Sequence, residues 1–468
     1  MRYFGFCLAA LILIACSPTD ENPRTSSSEP EKNNSLKTFT QDKPIQAFTK
    51  QEEIIFITPS HVGNSIQAIS PDGNNQREIF SIPDYAAKET SIWELAASPD
   101  GQRIAFASDH DWDRSYNTTN VYVIDANGDN LKRPSDAPSI DELAQYNTGK
   151  VQVKARRLLK GGELSAWVQG AKEPSKQLLR EGQTATFTLE VADFGKDIYQ
   201  YVRIFNHHPG HSNPCSFDAA LKVDLIAGKT VDAGSMPMLF SVTCPLVYSP
   251  AWVDDQTLAV IYSEPDTTLS SHNIWMVNAD IKPNESASRW LDTRDNTTNN
   301  KITRVFAGGA DSDQPAIVAF QSAAIATGLY VAPVKQPAEI KGGATNLCGE
   351  TISCKLTSID ATTDGKTTII SAYGRDTRLP DFAAIYISHN DGPFKQILKL
   401  DNQAIGTAAI SPNGQQIVFD RAAKLSDSPQ KVRFGDRPQC PCSIWRIDSD
   451  GKNLVQLVDD GRNPDWSP

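Results

Sequence analysis

Two stretches of this chain have the residue types and spacing of a metal site. In Asp109-His110-Asp111-Trp112-Asp113-Arg114 a carboxylate recurs at every second position. Hard cations take oxygen ligands in this way, but the glycine and closing glutamate of an EF-hand calcium loop are missing. A solvated hairpin tip is the competing expectation. In Asn206-His207-His208-Pro209-Gly210-His211, three of the chain's seven histidines fall close together. His207, His208 and His211 could ligate zinc or copper. With no acid among them, a polar loop is the preferred expectation. No cofactor is expected, and calcium or zinc stays open as the alternative. The chain has no Gly-x-Ser-x-Gly elbow, no Cys-x-x-Cys-His, no glycine-rich phosphate loop and no His-Glu-x-x-His. The acid pairs Asp254-Asp255 and Asp459-Asp460 sit in or beside turns and need no catalytic explanation.

The chain opens Met1-Arg2-Tyr3 and continues with an apolar run from Phe4 to Ala15. One cation before a short apolar run reads as a secretory signal, too short to span a bilayer. Its end, Leu13-Ile14-Ala15-Cys16, resembles a bacterial lipobox. The resemblance implies cleavage after residues 1–15 and acylation of Cys16. With Ser17 next, it also implies sorting to the outer membrane, facing the periplasm, with the inner membrane and the cell surface left open. Residues 16–51 are rich in Ser, Pro, Glu, Asn, Thr and Lys. Such a stretch cannot bury enough apolar surface to offset its ordering entropy and reads as a tether.

With Cys7 removed and Cys16 acylated, six cysteines remain: Cys215, Cys244, Cys348, Cys354, Cys440 and Cys442. An even number in an oxidising compartment points to disulfides, with nearest neighbours as the simplest pairing. Cys440-Pro441-Cys442 would close a small ring, either as a loop staple or as a reducible bridge. The net charge of −11 excludes non-specific nucleic-acid binding, which needs basic surface.

The elements that must position these residues come from a repeat. Its clearest copy is Ser98-Pro99-Asp100-Gly101-Gln102-Arg103-Ile104-Ala105-Phe106. Pro presets φ, Asp bonds its own backbone, and Gly takes φ > 0, so the phrase is a turn that opens a strand. A second phrase, Val121-Tyr122-Val123-Ile124-Asp125-Ala126-Asn127-Gly128, is a strand that ends in a turn. Together they predict a four-stranded meander, with strands A to D in order. Copies begin at Ile54, Trp93, Tyr248, Gln314, Thr363 and Ile410. The first copy lacks its A strand, and the chain ends Asn463-Pro464-Asp465-Trp466-Ser467-Pro468, an A strand with nothing after it. Pairing the last strand into the first sheet would remove both exposed edges.

This repeat resembles the TolB-type, or PD40, branch of WD40-like β-propellers. The resemblance covers residues 52–135, expected as blades 1 and 2, and 246–468, expected as blades 3 to 6 and the closing strand. It implies an all-β, six-bladed propeller. The α/β domain of the Tol–Pal protein has no counterpart here, so that role is not transferred. Residues 136–245 break the repeat but still alternate like strands, as in Thr184-Ala185-Thr186-Phe187-Thr188-Leu189-Glu190-Val191. About six strands at this length suggest an inserted β-sandwich, with a faint similarity to transthyretin-like modules.

In such a meander the A–B and C–D turns share one face, and the B–C and D–A connections share the other. The latter are longer and more varied, which is where binding usually sits. The candidate binding face is therefore Asp109, Asp111, Asp113, Arg114, Arg375, Asp376, Arg378 and Arg433. The expected function is that of a lipid-anchored envelope protein that binds a protein, peptidoglycan or glycan partner, touching the membrane only through its anchor. The alternative is a propeller lyase or hydrolase acting on polysaccharide with metal assistance, since propeller enzymes assemble sites from single residues on separate blades.

Overall fold

The recurring turn phrase explains itself in atomic terms. The computed structural model describes residues 52–60, 63–82, 90–115, 117, 119–134, 140–157, 162–194, 199–206, 221–235, 246–264, 271–280, 288–291, 302–308, 316–322, 327–334, 341–344, 353–375, 381–390, 392–423 and 442–468. In it, Ser98 Oγ donates to Asp100 Oδ1 at 2.6 Å and accepts the Arg103 N–H at 2.9 Å. Asp100 Oδ1 also accepts the Gln102 N–H. Thr362 and Asp364 repeat this arrangement, as do Ser411 and Asn413. The glycines that follow have φ of +68°, +67° and +71° at Gly101, Gly365 and Gly414. Each position of the phrase thus satisfies a turn donor or supplies the left-handed residue the reversal needs.

These turns join strands into sheets. β1 (Glu53–Ser60), β2 (Gly63–Ile69) and β3 (Arg77–Ser81) form a meander. β4 (Ile92–Ala97), β5 (Arg103–Ser108) and β6 (Asn120–Asp125) form the next. The fourth strand expected there is reduced to one bridge, in which Val123 and Lys132 exchange both backbone hydrogen bonds. Seven strands follow outside the repeat: β7 (Thr148–Arg156), β8 (Gly162–Val168), β9 (Ser175–Leu179), β10 (Thr184–Ala192), β11 (Tyr199–Asn206), β12 (Leu221–Asp224) and β13 (Thr230–Ser235). The meanders then resume with β14 (Leu246–Trp252), β15 (Thr257–Glu264), β16 (Ser271–Asn278) and β17 (Ser288–Leu291). Next come β18 (Ile302–Gly308), β19 (Ala316–Ser322), β20 (Thr327–Pro333) and β21 (Lys341–Ala344). After them run β22 (Ser353–Ala361), β23 (Thr367–Arg375), β24 (Phe382–His389) and β25 (Lys395–Asp401). The last meander is β26 (Ala404–Ile410), β27 (Gln416–Ala422), β28 (Cys442–Asp448) and β29 (Val455–Val458). β30 (Arg462–Ser467) pairs antiparallel with β1, Trp466 opposite Ile54.

We number the meander sheets 1 to 6 in chain order, with β30 in sheet 1. Strand alternation decides which neighbour each residue meets. On β5, Ile104 and Phe106 pack toward sheet 1, while Ala105 and Ala107 pack toward sheet 3. On β1, Ile55 and Ile57 face sheet 2, while Ile54 and Phe56 face sheet 6 together with Trp466, Val418 and Ile444. Both faces of these strands are therefore buried, which is why they read as continuous apolar runs. Among the described residues no α-helix occurs and no helix is long and apolar enough to cross a membrane.

The strands outside the repeat form two sheets, in the orders β10-β7-β13 and β12-β11-β8-β9. They share one core that includes Val151, Phe187, Leu164 and Ile204. Of the strands expected there, five are present. β9 and β13 were not foreseen, and the expected strand at 239–242 lies outside the described residues. β9 is short and polar, and β13, Thr-Val-Asp-Ala-Gly-Ser, has half its positions exposed, so neither carries a clean apolar period.

Candidate functional site

The innermost strands β30, β4, β14, β18, β22 and β26 share an irregularity. In each, the pairing with its neighbour shifts register, as between Ile92 and Glu94, Tyr248 and Ala251, or Ile405 and Ala408. A β-bulge bends its strand and re-aims a side chain. Here the bulges recur at one level, and Ser249 and Asn463 adopt φ of +52° and +54° there. Most of the residues so turned are polar, among them Ser249, Arg304, Thr407 and Asn463.

Together these strands line a cavity of about 610 Å³ that reaches the A–B turns. Its deeper level is organised by Arg304 of β18. The guanidinium donates to Glu94 of β4 at 3.2 Å, to the Thr357 carbonyl of β22 at 3.2 Å, to Thr407 Oγ1 of β26 at 3.2 Å and to Asn463 Oδ1 of β30 at 3.4 Å. One side chain from sheet 4 thus bonds to sheets 1, 2, 5 and 6. The next residue, Val305, donates its N–H to Ser249 Oγ of sheet 3. Asp420 secures the bulge in β26, accepting the N–H groups of Gly406 and Thr407, and it reaches β30 through the Asn463 N–H. Burial pushes its carboxyl above the usual range, against those hydrogen bonds and the nearby Arg304 charge.

Two residues nearer the turns, roughly 7 Å along a strand, a second level holds Asp360 and Asp465. Asp465 accepts the N–H of Ala97 in sheet 2 at 2.8 Å, and Asp360 accepts that of Ile410 in sheet 6 at 2.8 Å. Tryptophans stitch in the opposite sense: Trp252 Nε1 donates to the Ala96 carbonyl and Trp466 Nε1 to that of Ala409. Burial pushes both carboxyls up, and Asp360 rises further because Asp465 is close enough to repel its charge. At the mouth, Asp254 and Asp255 are exposed, and Asp255 Oδ1 accepts the Asp100 N–H at 3.0 Å.

The Asp109–Arg114 stretch is not a solvated tip. Trp112 lies in the core of the two extra sheets, and His110 is buried with its ring 4.3 Å from Tyr122. Arg203 of β11 donates to the Ser115 carbonyl at 2.7 Å, and Arg114 pairs with Glu173 at 2.9 Å. Asp111 faces His110 and Arg133 at 3.6 and 3.9 Å. Asp109 accepts the Ser91 N–H at 2.5 Å, and burial pushes its carboxyl up to about 7. This connection is where the extra sheets dock. A tryptophan among carboxylates was the available signal, since alternating acids around an indole do not make an open loop.

Of the other candidates, Arg375 ends β23, Asp113 belongs to the 3-10 turn Trp112–Arg114, and Cys354 lies in β22. Cys442 opens β28 and is buried. Asp376, Arg378, Arg433, His207, His208, His211, Cys16, Cys215, Cys244, Cys348 and Cys440 lie outside the described residues. Among the described residues no group of three His, Cys, Asp or Glu side chains converges as a metal site. Glu94, Arg304, Asp360, Asp420 and Asp465 were missed. For Glu94, Arg304 and Asp420 the signal was a charged residue inside a short run with apolar neighbours; Asp360 and Asp465 sit in polar stretches that gave none.

Inner strands around a shared cavity, with the rest of each meander sheet stacked outside them, define the class: a β-propeller. No protein-family model matches the sequence, and no curated protein matches it. Among solved structures, the chain is similar to TolB from Acinetobacter baumannii, at 12% identity and a TM-score of 0.43, covering 89% of this chain and 66% of that one. It is also similar to oligopeptidase B from Leishmania major, at 10% identity and a TM-score of 0.34, covering 88% of this chain and 49% of that one. The chain thus spans under two thirds of either protein, and neither lends it an activity.

Proposed function

We propose that this chain is a binding protein of the bacterial envelope. In this reading it is a six-bladed propeller, closed by β1 and β30, carrying an inserted β-sandwich and held to the outer membrane by lipid on Cys16. Its guest is a segment of an envelope protein or glycan. The observation that carries the reading is the cavity of about 610 Å³ at the convergence of the inner strands. Ligand sites are concave and largely pre-formed, with a few fixed polar groups on apolar walls, and this cavity has that make-up. The Arg304 network and the cross-sheet hydrogen bonds hold the walls rigid, which lowers the ordering cost of binding. The long-connection face remains a second contact surface through Arg375, Arg378 and Arg433.

Binding is favoured over lysis or hydrolysis of a polysaccharide by the state of the carboxyl groups. Asp360, Asp420 and Asp465 are each tied to backbone N–H groups of another strand, which suits them to stitching more than to proton transfer. The test is crosslinked capture from membranes with the full chain and with Ala96→Phe, which narrows the cavity at a partly exposed wall position. Capture of a stoichiometric envelope component that Ala96→Phe loses, at unchanged melting temperature, supports the reading. Capture indifferent to the filled cavity overturns it.

A further inference from the structure

The cavity's lining is electrically lopsided. Glu94, Asp254, Asp255, Asp360 and Asp465 stand against Arg304 alone. Arg304 is committed at its deeper level to Glu94, at 3.2 Å. The upper level and the mouth therefore hold four carboxyl groups with no cation among the lining residues; Arg103, beside the mouth over the Trp252 ring, is committed to the Asp255 carbonyl and to Asp280. The walls around them are apolar and poor in free donors: Pro99, Pro250, Pro412 and Pro464, with Trp252 and Phe306. Low-dielectric walls concentrate the field of the acids toward the opening. An anion would be repelled there, and a neutral apolar guest would offer the carboxyl groups no compensating charge. A guest with an aliphatic stem and a terminal cation matches both features, because the stem covers apolar wall while the head meets the acids.

We propose that the propeller cavity receives a lysine or arginine side chain of a partner segment, with its cation seated at Asp360 and Asp465. The inference rests on the reading of the cavity as the binding site and names the chemistry that site selects. Asp360 accepts the Ile410 N–H through one oxygen, and Asp465 accepts the Ala97 N–H through one oxygen and the Trp466 N–H through the other, so both carboxyl groups are fixed in place before the guest arrives. Arg304 closes the deeper level, so the guest enters from the side of the A–B turns. Burial of both carboxyl groups, with repulsion of Asp360 by Asp465, favours a retained proton before a guest binds. An arriving cation removes the reason to retain it, and binding releases a proton to solvent.

The experiment uses the full chain and acetyl-Ala-Ala-Lys-Ala-Ala-amide, with its norleucine counterpart and cadaverine as controls, by titration calorimetry in two buffers of different ionisation enthalpy. The lysine peptide should bind at least tenfold more tightly than the norleucine peptide. That preference should disappear in Asp360→Asn and Asp465→Asn, which keep an acceptor for the backbone N–H, and the two buffers should reveal a released proton near neutral pH. Equal binding of the two peptides overturns the proposal, as does binding of neither. Cadaverine binding as tightly as the lysine peptide would make the occupant a free amine and overturn the peptide assignment. Should an Asn variant fail to fold, Ala96→Phe with the peptide pair keeps the test open: a lysine preference that survives the filled cavity places the site elsewhere and overturns the proposal. If membrane capture is lost in Ala96→Phe but kept in both Asn variants, the cavity reading stands and the cation reading falls.

Discussion

Arg304→Met should loosen the whole inner rim. The methionine keeps the aliphatic stem but deletes the guanidinium hydrogen bonds by which Arg304 ties sheet 4 to sheets 1, 2, 5 and 6. Hydrogen bonds to a charged group contribute about 1.5–3 kcal/mol when lost singly, and breaking a fully buried ion pair costs roughly 3–5 kcal/mol. Arg304 and Glu94 are 19% and 22% exposed, so water replaces part of what is lost. Discounting for that screening, about 3 kcal/mol is expected. Unfolding entropy of roughly 2.1 cal/mol/K per residue over roughly 400 residues makes this a fall in melting temperature of about 4 °C. The decisive measurement is the double variant Arg304→Met/Glu94→Gln, followed by urea denaturation. Removing the abandoned charge should restore about 1–2 kcal/mol relative to the sum of the single effects. Additive losses would show that the pair contributes nothing as a pair. A wild-type midpoint for Arg304→Met would refute the hub itself.

The remaining predictions concern the dock, the closing strand and pH. Trp112→Ala removes a buried indole from the core of the extra sheets and should weaken their docking by about 3–5 kcal/mol; limited proteolysis should then release a fragment containing Phe187 while the meanders stay resistant, and unchanged digestion would count against the dock. Gly101→Ala needs a left-handed φ of +68° and drives a Cβ onto the Pro468 carbonyl. Beyond the roughly 1–2 kcal/mol of backbone strain, it should speed hydrogen exchange at Trp466 and Ser467, and unaltered protection there would refute the contact. Asp109 has its folded pKa raised from 3.8 to about 7. Its contribution to stability is therefore full below the unfolded value and is lost as pH rises from about 4 to about 7. Asp109→Asn keeps the acceptor for Ser91 and should flatten that loss, by about 2 kcal/mol after allowance for partial exposure. Parallel melting curves for wild type and variant from pH 4 to pH 8 would contradict it.

Much of the architecture is legible from local rules because the local rules are strong. Ser98-Pro99-Asp100-Gly101 can satisfy its own donors only as the turn it forms, whatever surrounds it. Alternation along Ile104-Ala105-Phe106-Ala107 says that the strand is buried on both sides, though not by which neighbours. What stayed hidden depends on contacts between residues far apart in sequence. Arg304 is one arginine in a short run, and nothing near it announces bonds to Glu94, Thr407 and Asn463. Trp112 looked like part of a loop because its core is supplied by strands that begin at Thr148. The bulges belong to the same class, since an extra residue in an inner strand can be counted only against its partner.

A single physical cause connects these misses to the cavity. Inner strands converge, and side chains that would fill the centre of a small barrel have too little room at one level and too much at the next. Bulges turn Glu94, Arg304, Thr407 and Asn463 inward at the tight level, where they bond to one another. Two residues further along, small side chains such as Ala96 line the space between Asp360 and Asp465 and the turns. The same geometry that demands a polar hub therefore leaves an acidic cup above it. If the cup were only a by-product of convergence, neutralising it with Asp360→Asn and Asp465→Asn should raise stability near neutral pH, because two buried carboxyls that resist ionisation would be gone. If it is kept for a guest, the same neutralisation should also abolish the discrimination between lysine and norleucine. The two outcomes are separable because stability reads the carboxyls in the empty protein, and discrimination reads them against a cation.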